Sequence, residues 1–119
     1  MVTATKRKLS GSTDGKPILV VATGTPGTAI HTAVAGTTPG TFDEIWLWVH
    51  NTSASTVQLT IEFGGATAPD ENIVISVTAR QGLYLAVPGL ILQNGATVKA
   101  FASTASVVTV TGFVNTMTD

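Results

Sequence analysis

The sequence predicts an all-β fold, an antiparallel, jelly-roll-like β-sandwich of about eight strands that follows an extended N-terminal arm. Three observations predict this fold. No long segment repeats its apolar residues at helical spacing. Short apolar or alternating segments recur along the chain and are separated by residues typical of turns. Apolar residues make up 44% of the 119-residue chain, which suffices for one domain with its own core.

The predicted strands follow one another at short, regular intervals. The first is a short apolar run, the second follows a Pro-Gly break at 26–27, and the fourth alternates strictly between apolar and polar residues. In order, the eight ranges are 17–23, 28–34, 44–50, 57–63, 72–78, 82–88, 97–102 and 107–114. The alternation predicts these buried core residues: Val57, Leu59, Ile61, Phe63, Ile73, Ile75, Val77, Leu83, Leu85 and Val87. It predicts that these residues face outward: Gln58, Thr60, Glu62 and Ser76.

Glycine, proline, asparagine and aspartate lie between the predicted strands, as turns require. Examples are Thr13-Asp14-Gly15, Gly64-Gly65 and Pro88-Gly89. Asn94-Gly95 is the strongest hairpin signal, because both residues tolerate the positive φ of a type I′ turn. The sequence therefore predicts a hairpin that joins the strands on either side of this pair.

The segment "EIWLWVH" at 44–50 has bulky apolar residues on both faces. Successive side chains of a strand point to opposite faces, so Ile45, Leu47 and Val49 share one face and Trp46 and Trp48 share the other. We expect the aliphatic face to lie in the core and the two indoles to contact another subunit, since tryptophan is a frequent hot-spot residue of interfaces. The alternative places the indoles inside the sandwich and the aliphatic face beneath a loop or the arm.

Glu44 and His50 flank the two indoles on the same predicted face. We expect these two side chains to form the polar edge of the contact surface. Only 11% of the residues are charged, against about 25% in typical domains, so a large share of the surface is available for apolar contacts.

Residues 1–16 differ in composition from residues 17–119, the predicted sandwich domain. They contain Lys6, Arg7 and Lys8 and almost no apolar pattern. We expect a flexible arm that becomes ordered on a neighbouring molecule, where the three basic side chains meet acidic groups. A frayed terminus is the alternative.

The sequence contains no specific catalytic or cofactor motif. It has no cysteine, which excludes disulfides, thiolate metal sites and cysteine nucleophiles, and it has no G-x-S-x-G element. Two weaker alternatives are a carboxylate pair formed by Glu44 and Glu62 and a calcium loop at 68–73, "APDENI". We therefore expect a protein that is not an enzyme and that uses no cofactor or metal.

Charge and hydropathy also limit the classes of partner. The net charge is −1, which gives no general attraction to nucleic acid. No apolar run approaches the length of a membrane helix, and a polar segment follows the basic residues near the N-terminus, where a signal peptide has its apolar region. We expect cytoplasmic synthesis and no nucleic-acid or membrane partner.

From about Thr5 to Asn115 the chain resembles a family of small virion proteins of tailed bacteriophages, the capsid decoration or cement subunits. The segments that carry the resemblance are "TKRKLSGSTDGKPILVVAT", "IHTAV", "DEIWLWVHNTSAS", "LTIEFGG", "APDENI", "GLYLAVPGLILQNGATVKAFAS" and "GFVN". The resemblance implies a non-enzymatic β-sandwich that binds the major capsid protein on the capsid surface in many copies. It also implies contacts between copies, as a trimer or a dimer.

Two other functions are compatible with the same residues. One is a different virion component, such as a head–tail connector, tail or fibre protein. The other is a carbohydrate-binding β-sandwich in which Trp46, Trp48 and Tyr84 stack on sugar rings.

Overall fold

A computed structural model describes residues 2–119 and confirms the predicted all-β sandwich. These residues form nine strands in two antiparallel sheets, with no helix and hence no helix able to cross a membrane. The strands are β1 (Thr3–Lys8), β2 (Ile18–Val20), β3 (Thr28–Thr32), β4 (Phe42–Asn51), β5 (Val57–Phe63), β6 (Asn72–Val77), β7 (Tyr84–Leu92), β8 (Thr97–Ala102) and β9 (Val108–Thr118).

The first sheet has the order β1-β9-β4-β7, and β2 also pairs with β9. Because β9 is 11 residues long, β1 and β2 pair with different parts of it. The second sheet has the order β3-β8-β5-β6. β7 is thus an edge strand of the first sheet, and β4 lies inside that sheet between β9 and β7.

The core lies between the two sheets and consists of aliphatic side chains. β4 alternates without interruption between buried and half-buried residues. Ile45, Leu47 and Val49 are buried as predicted, so the face that carries Trp46 and Trp48 is the outer one. Other buried core residues include Val57, Leu59, Ile61, Val77, Val87, Val98, Val108, Val110 and Val114. Phe63, Ile73 and Ile75 are half-buried and pack against this core.

Two residues of β5 that the alternation places outside are buried instead. Glu62 is only 2% exposed, and Thr60, on the same face, is buried as well. The loop between β2 and β3 covers Glu62: its carboxylate accepts hydrogen bonds from Gly27 N–H at 2.7 Å and from the Thr25 hydroxyl at 2.9 Å. Gln58 and Ser76 are exposed as predicted.

The prediction for β7 is wrong in part, because this strand does not alternate. Leu83 precedes the strand and is 65% exposed, and Leu85 is also exposed. The pairing of β7 with β4 contains two register shifts, and each shift changes which β7 residues face the core. Val87 is the predicted β7 core residue that is buried.

The Asn94-Gly95 turn forms, but it does not close a hairpin. Both residues have positive φ, 62° and 67°, and Ala96 N–H donates to the Gln93 carbonyl. The strands on either side, β7 and β8, belong to different sheets. The turn therefore carries the chain from one sheet to the other.

The N-terminal residues contain a strand where the sequence predicts an arm. β1 pairs with β9 from Thr3 opposite Thr118 to Lys8 opposite Phe113, and all six of its residues are exposed. Leu9, which follows, is buried in the core. Residues 3–8 are thus paired with a strand of their own chain, and the mobility of the segment in solution stays a prediction.

Candidate binding face

The outer face of the first sheet carries three aromatic side chains that lie together. Strand alternation places Trp46 and Trp48 of β4 on this side, and β9 contributes Phe113, the register partner of Trp46. We refer to these three residues as the aromatic face. All three are half-buried. The alternative in which the indoles fill the sandwich interior is wrong, since Ile45 and Leu47 occupy that position.

The three rings contact one another in nearly parallel orientations. The ring centroids of Trp46 and Trp48 are 6.3 Å apart, those of Trp46 and Phe113 are 6.3 Å apart, and those of Trp48 and Phe113 are 6.0 Å apart. The interplanar angles are between 18° and 29°. Mutual packing of this kind holds large side chains in one arrangement before a partner binds, which reduces the entropy lost on binding.

Glu44 forms the polar edge at one end of the aromatic face. One of its carboxylate oxygens accepts a hydrogen bond from the Trp46 indole N–H at 2.8 Å and another from the Asn115 side-chain amide at 3.0 Å. Both donors stabilise the ionised carboxylate and lower the pKa of Glu44, the indole having the larger effect. The same bond orients the Trp46 ring.

His50 lies at the other end of the same face. Its Nδ1–H donates to the Gly82 carbonyl oxygen at 3.2 Å, a contact at the surface of the protein. The structure thus brings the four predicted interface residues of β4 to one side of the sheet, as the alternation indicates.

Sequence reasoning missed Gly89 as part of this face. Gly89 belongs to β7 and has a φ of +79°. A Cβ at this position would lie 2.9 Å from Cζ2 of Trp46, so the indole packs directly over the glycine. Pro88-Gly89 was the available signal, but the pair is typical of a turn, whereas here it lies within a strand.

The apolar surface continues from the aromatic face to the edge of the sheet. Leu85 is the register partner of Trp48, and Ile91 is the partner of Glu44, so both side chains lie on the outer face. Both are exposed. No residue from 81 to 98 is charged. This edge therefore lacks the charged side chains that usually protect edge strands.

The three predicted basic residues do not form one patch. Lys6 Nζ lies 4.3 Å from the centroid of the Phe113 ring, a cation–π contact at the margin of the aromatic face. Lys8 Nζ instead donates to the Ser12 carbonyl at 3.1 Å. Arg7, opposite the buried Val114, lines a separate cleft.

That cleft has a volume of about 600 Å³, and its lining includes residues of β1, β3, β4 and β9. His31 and Asp43, 6% and 3% exposed, form a buried pair in it. His31 Nε2 is 2.6 Å from Asp43 Oδ2, the Thr116 hydroxyl donates to Asp43 Oδ1 at 2.7 Å, and Val34 N–H donates to Oδ2 at 3.2 Å.

The His31–Asp43 pair has the composition of part of a catalytic triad, but its histidine has no free ring nitrogen. The backbone N–H of Ser10 donates to His31 Nδ1 at 3.0 Å, so both ring nitrogens are engaged within the chain. A general base needs a free nitrogen within reach of the proton that it removes. The arrangement therefore fits a structural role.

The alternative of a Glu44–Glu62 carboxylate pair is wrong in this structure, whereas the calcium loop at 68–73 stays a prediction. Glu44 belongs to β4 and Glu62 to β5, in different sheets, and each is bonded to its own neighbours. In the 68–73 loop, Glu71 accepts a hydrogen bond from Thr67 N–H at 2.8 Å. Residues 2–119 contain no group of three potential metal-ligating side chains.

Comparisons of the chain with protein-family models, curated proteins and solved structures find no match.

Proposed function

We propose that the protein is a non-enzymatic capsid decoration subunit that binds the major capsid protein through the aromatic face and stabilises the head. One observation carries the proposal: Trp46, Trp48 and Phe113 form an ordered, half-buried cluster on the outer face of a sheet whose own core is complete on the other side. We propose the major capsid protein as the partner because the sequence resembles phage virion proteins.

The size of the apolar surface supports a role in binding. An aromatic side chain buries roughly 150–250 Å² in all, and the three half-buried rings keep part of that area for a partner. The exposed Leu85 and Ile91 extend the surface to the sheet edge. A typical monomer exposes a largest apolar patch of about 300–600 Å², and patches of that size are often functional. Burial of this face against the capsid would supply binding energy, and such a role needs no catalytic group.

Lys6 supplies a charged margin to this surface. Its ammonium lies 4.3 Å from the centroid of the Phe113 ring. An acidic group of the capsid protein at this margin would pair with Lys6. Binding should therefore weaken as the salt concentration rises, while the apolar part of the contact persists.

The carbohydrate-binding alternative loses one of its three aromatic residues in this structure. Tyr84 is the register partner of Val49, which faces the core, so Tyr84 projects from the opposite side of the sheet to the indoles. The three rings of that hypothesis do not form one platform. A connector, tail or fibre protein remains the other virion role, and copy number distinguishes it from a decoration protein.

The experiment is quantification of the protein in purified particles, followed by rebinding of variants to particles that lack it. We expect hundreds of copies per particle, whereas a connector is present in about a dozen copies or fewer. Trp46→Ala and Trp48→Ala should each weaken rebinding by at least about 2 kcal/mol, roughly 30-fold.

Val74→Ala is the matched control, because Val74 is an exposed apolar residue of β6 in the other sheet. It should leave rebinding unchanged. The proposal fails if the protein is absent from the particles, or if the two tryptophan variants and Val74→Ala bind equally well.

A further inference from the structure

We propose that His31 is a proton-sensitive latch that holds the N-terminal segment, residues 3–12, against β3. The segment is attached to β3 when His31 is neutral, and it detaches more readily when His31 gains a proton. The inference rests on hydrogen-bond geometry within this chain and does not depend on the proposed function.

The geometry defines the proton positions on the His31 ring. The Ser10 backbone N–H points at Nδ1 over 3.0 Å, so Nδ1 must carry a lone pair rather than a proton. The remaining proton is therefore on Nε2, which donates to Asp43 Oδ2 at 2.6 Å. His31 is thus a neutral imidazole that accepts from the N-terminal segment and donates to β4.

Ser10 is the centre of the attachment between the segment and β3. Its hydroxyl oxygen accepts a hydrogen bond from Thr32 N–H at 2.7 Å, and the next residue, Gly11, donates to the Ile30 carbonyl at 2.9 Å. Gly11 lies so close to β3 that a Cβ would be 2.6 Å from two backbone oxygens. These bonds can form together only while Ser10 stays beside the His31 ring.

The other attachments of the segment are to β9 and to the core. The β1 side chains are all exposed, so β1 depends on main-chain pairing with β9 and on the contact of Lys6 with Phe113. Leu9, 1% exposed, is the apolar anchor of the segment. Ser10 follows Leu9 directly, so a change at Ser10 acts on the part of the segment that β9 does not pair with.

Protonation of His31 puts two donors face to face. Nδ1–H would then point at Ser10 N–H across 3.0 Å. Neither group is an acceptor, so the hydrogen bond between Ser10 and His31 is lost. The bond to Asp43 survives, because Nε2–H is present in both states. The other titratable groups that line the cleft, Arg7 and Lys8, are cations and do not accept the new proton.

The direction of the pH effect depends on whether the attached or the detached state binds this proton better. When the segment detaches, Nδ1–H can donate to water that enters the cleft, so the detached state binds the extra proton better than the attached state. Attachment is therefore strongest where His31 is neutral, and it weakens as the pH falls and the ring gains a proton.

The test is native-state hydrogen exchange followed by NMR, with each amide rate corrected for the rate of an unstructured peptide at the same pH. Between pH 7.5 and 5.5 the protection of the Gly11 and Thr32 amides should fall at least about tenfold, in step with the titration of the His31 ring. The amides of Leu47 and Val49 in β4 are the internal reference and should keep their protection.

Two variants identify the group that titrates. His50→Asn removes the other histidine and should leave the effect intact. His31→Asn should abolish the pH dependence of the Gly11 and Thr32 amides. The proposal is overturned if these amides keep their protection while the His31 ring titrates, if His31 stays neutral until the whole domain unfolds, or if His31→Asn shows the wild-type dependence. The wild-type measurement decides the question even where a variant fails to fold.

Discussion

Gly89 and Gly15 have similar positive φ values, +79° and +83°, but different surroundings. A Cβ at Gly89 would lie 2.9 Å from the Trp46 indole, whereas a Cβ at Gly15 meets nothing within 4 Å. Gly89→Ala and Gly15→Ala should both lose about 1–2 kcal/mol through the backbone alone. Gly89→Ala should lose about 1–3 kcal/mol more, because the indole must move.

Chemical denaturation of the two variants measures this difference in the free energy of unfolding. Combining Gly89→Ala with Trp46→Ala should reduce the extra loss, because the smaller side chain removes the clash. Equal destabilisation by Gly89→Ala and Gly15→Ala would show that Trp46 does not pack over β7 in solution.

Glu44 reports on the order of the aromatic face through its pKa. The Trp46 indole N–H and then the Asn115 amide lower this pKa, so their contribution to stability is present above the ordinary pKa of a glutamate and is lost as the pH falls through the lowered value. Trp46→Phe removes the larger donor and should raise the pKa of Glu44 toward its ordinary value. A side-chain NMR titration measures the change, and an unchanged pKa would mean that the indole does not donate to this carboxylate.

Burial of single residues could be predicted from the sequence where one strand decides it. Ile45, Leu47 and Val49 follow strict alternation inside the sheet, and all three are buried. Glu62 could not be predicted in this way, because the loop that buries it comes 35 residues earlier in the chain, at Gly27. Alternation describes a bare strand and carries no information about a loop that crosses it.

At the scale of elements, β7 is the strand whose properties depend most on its position in the sheet. It is an edge strand with two register shifts and with a proline opposite Trp46, features that oppose further strand pairing. Its exposed Leu85 and Ile91 nevertheless remain available for side-chain contacts. We therefore expect association through side-chain packing on the outer face rather than through continuation of the sheet.

The double variant Leu85→Lys/Ile91→Lys tests this edge. Both side chains are exposed, so each substitution should change the free energy of unfolding by about 0.5 kcal/mol or less, while self-association or particle binding decreases. Gln58→Lys/Val74→Lys adds the same charge to exposed positions of the second sheet and is the control. If both double variants reduce association equally, net charge rather than the β7 surface is responsible.

Element predictions from the sequence succeeded where the signal was local. The Asn94-Gly95 turn has the predicted positive φ values, since turn geometry depends on adjacent residues. Its role as a hairpin failed, because the choice of sheet for β7 and β8 depends on distant strands. β1 was missed because all of its side chains are exposed, which leaves no alternation to detect.

At the scale of the whole molecule, the two sheets enclose one core and leave the first sheet with an apolar outer face. The sequence predicted this division for β4, and with it the positions of Trp46 and Trp48. It did not predict the contribution of Phe113, which comes from β9, more than 60 residues later in the chain. A candidate site that two distant strands share becomes visible only when the pairing is known.

A protein with this distribution of apolar surface should associate with copies of itself, most simply as a trimer, with a dimer as the other closed arrangement. The reason is the small number of charges: 13 charged side chains in 119 residues give the outer face little electrostatic repulsion between copies, and the net charge is −1. A closed ring would cover the apolar residues of β7 from each copy, whereas an open arrangement would leave one such edge exposed and continue to grow. Sedimentation velocity over a range of concentrations should show a single larger species that dissociates on dilution, and Leu85→Lys/Ile91→Lys should shift it toward the monomer. A protein that stays monomeric at high concentration, with indole fluorescence typical of fully buried tryptophan, would contradict self-association in solution.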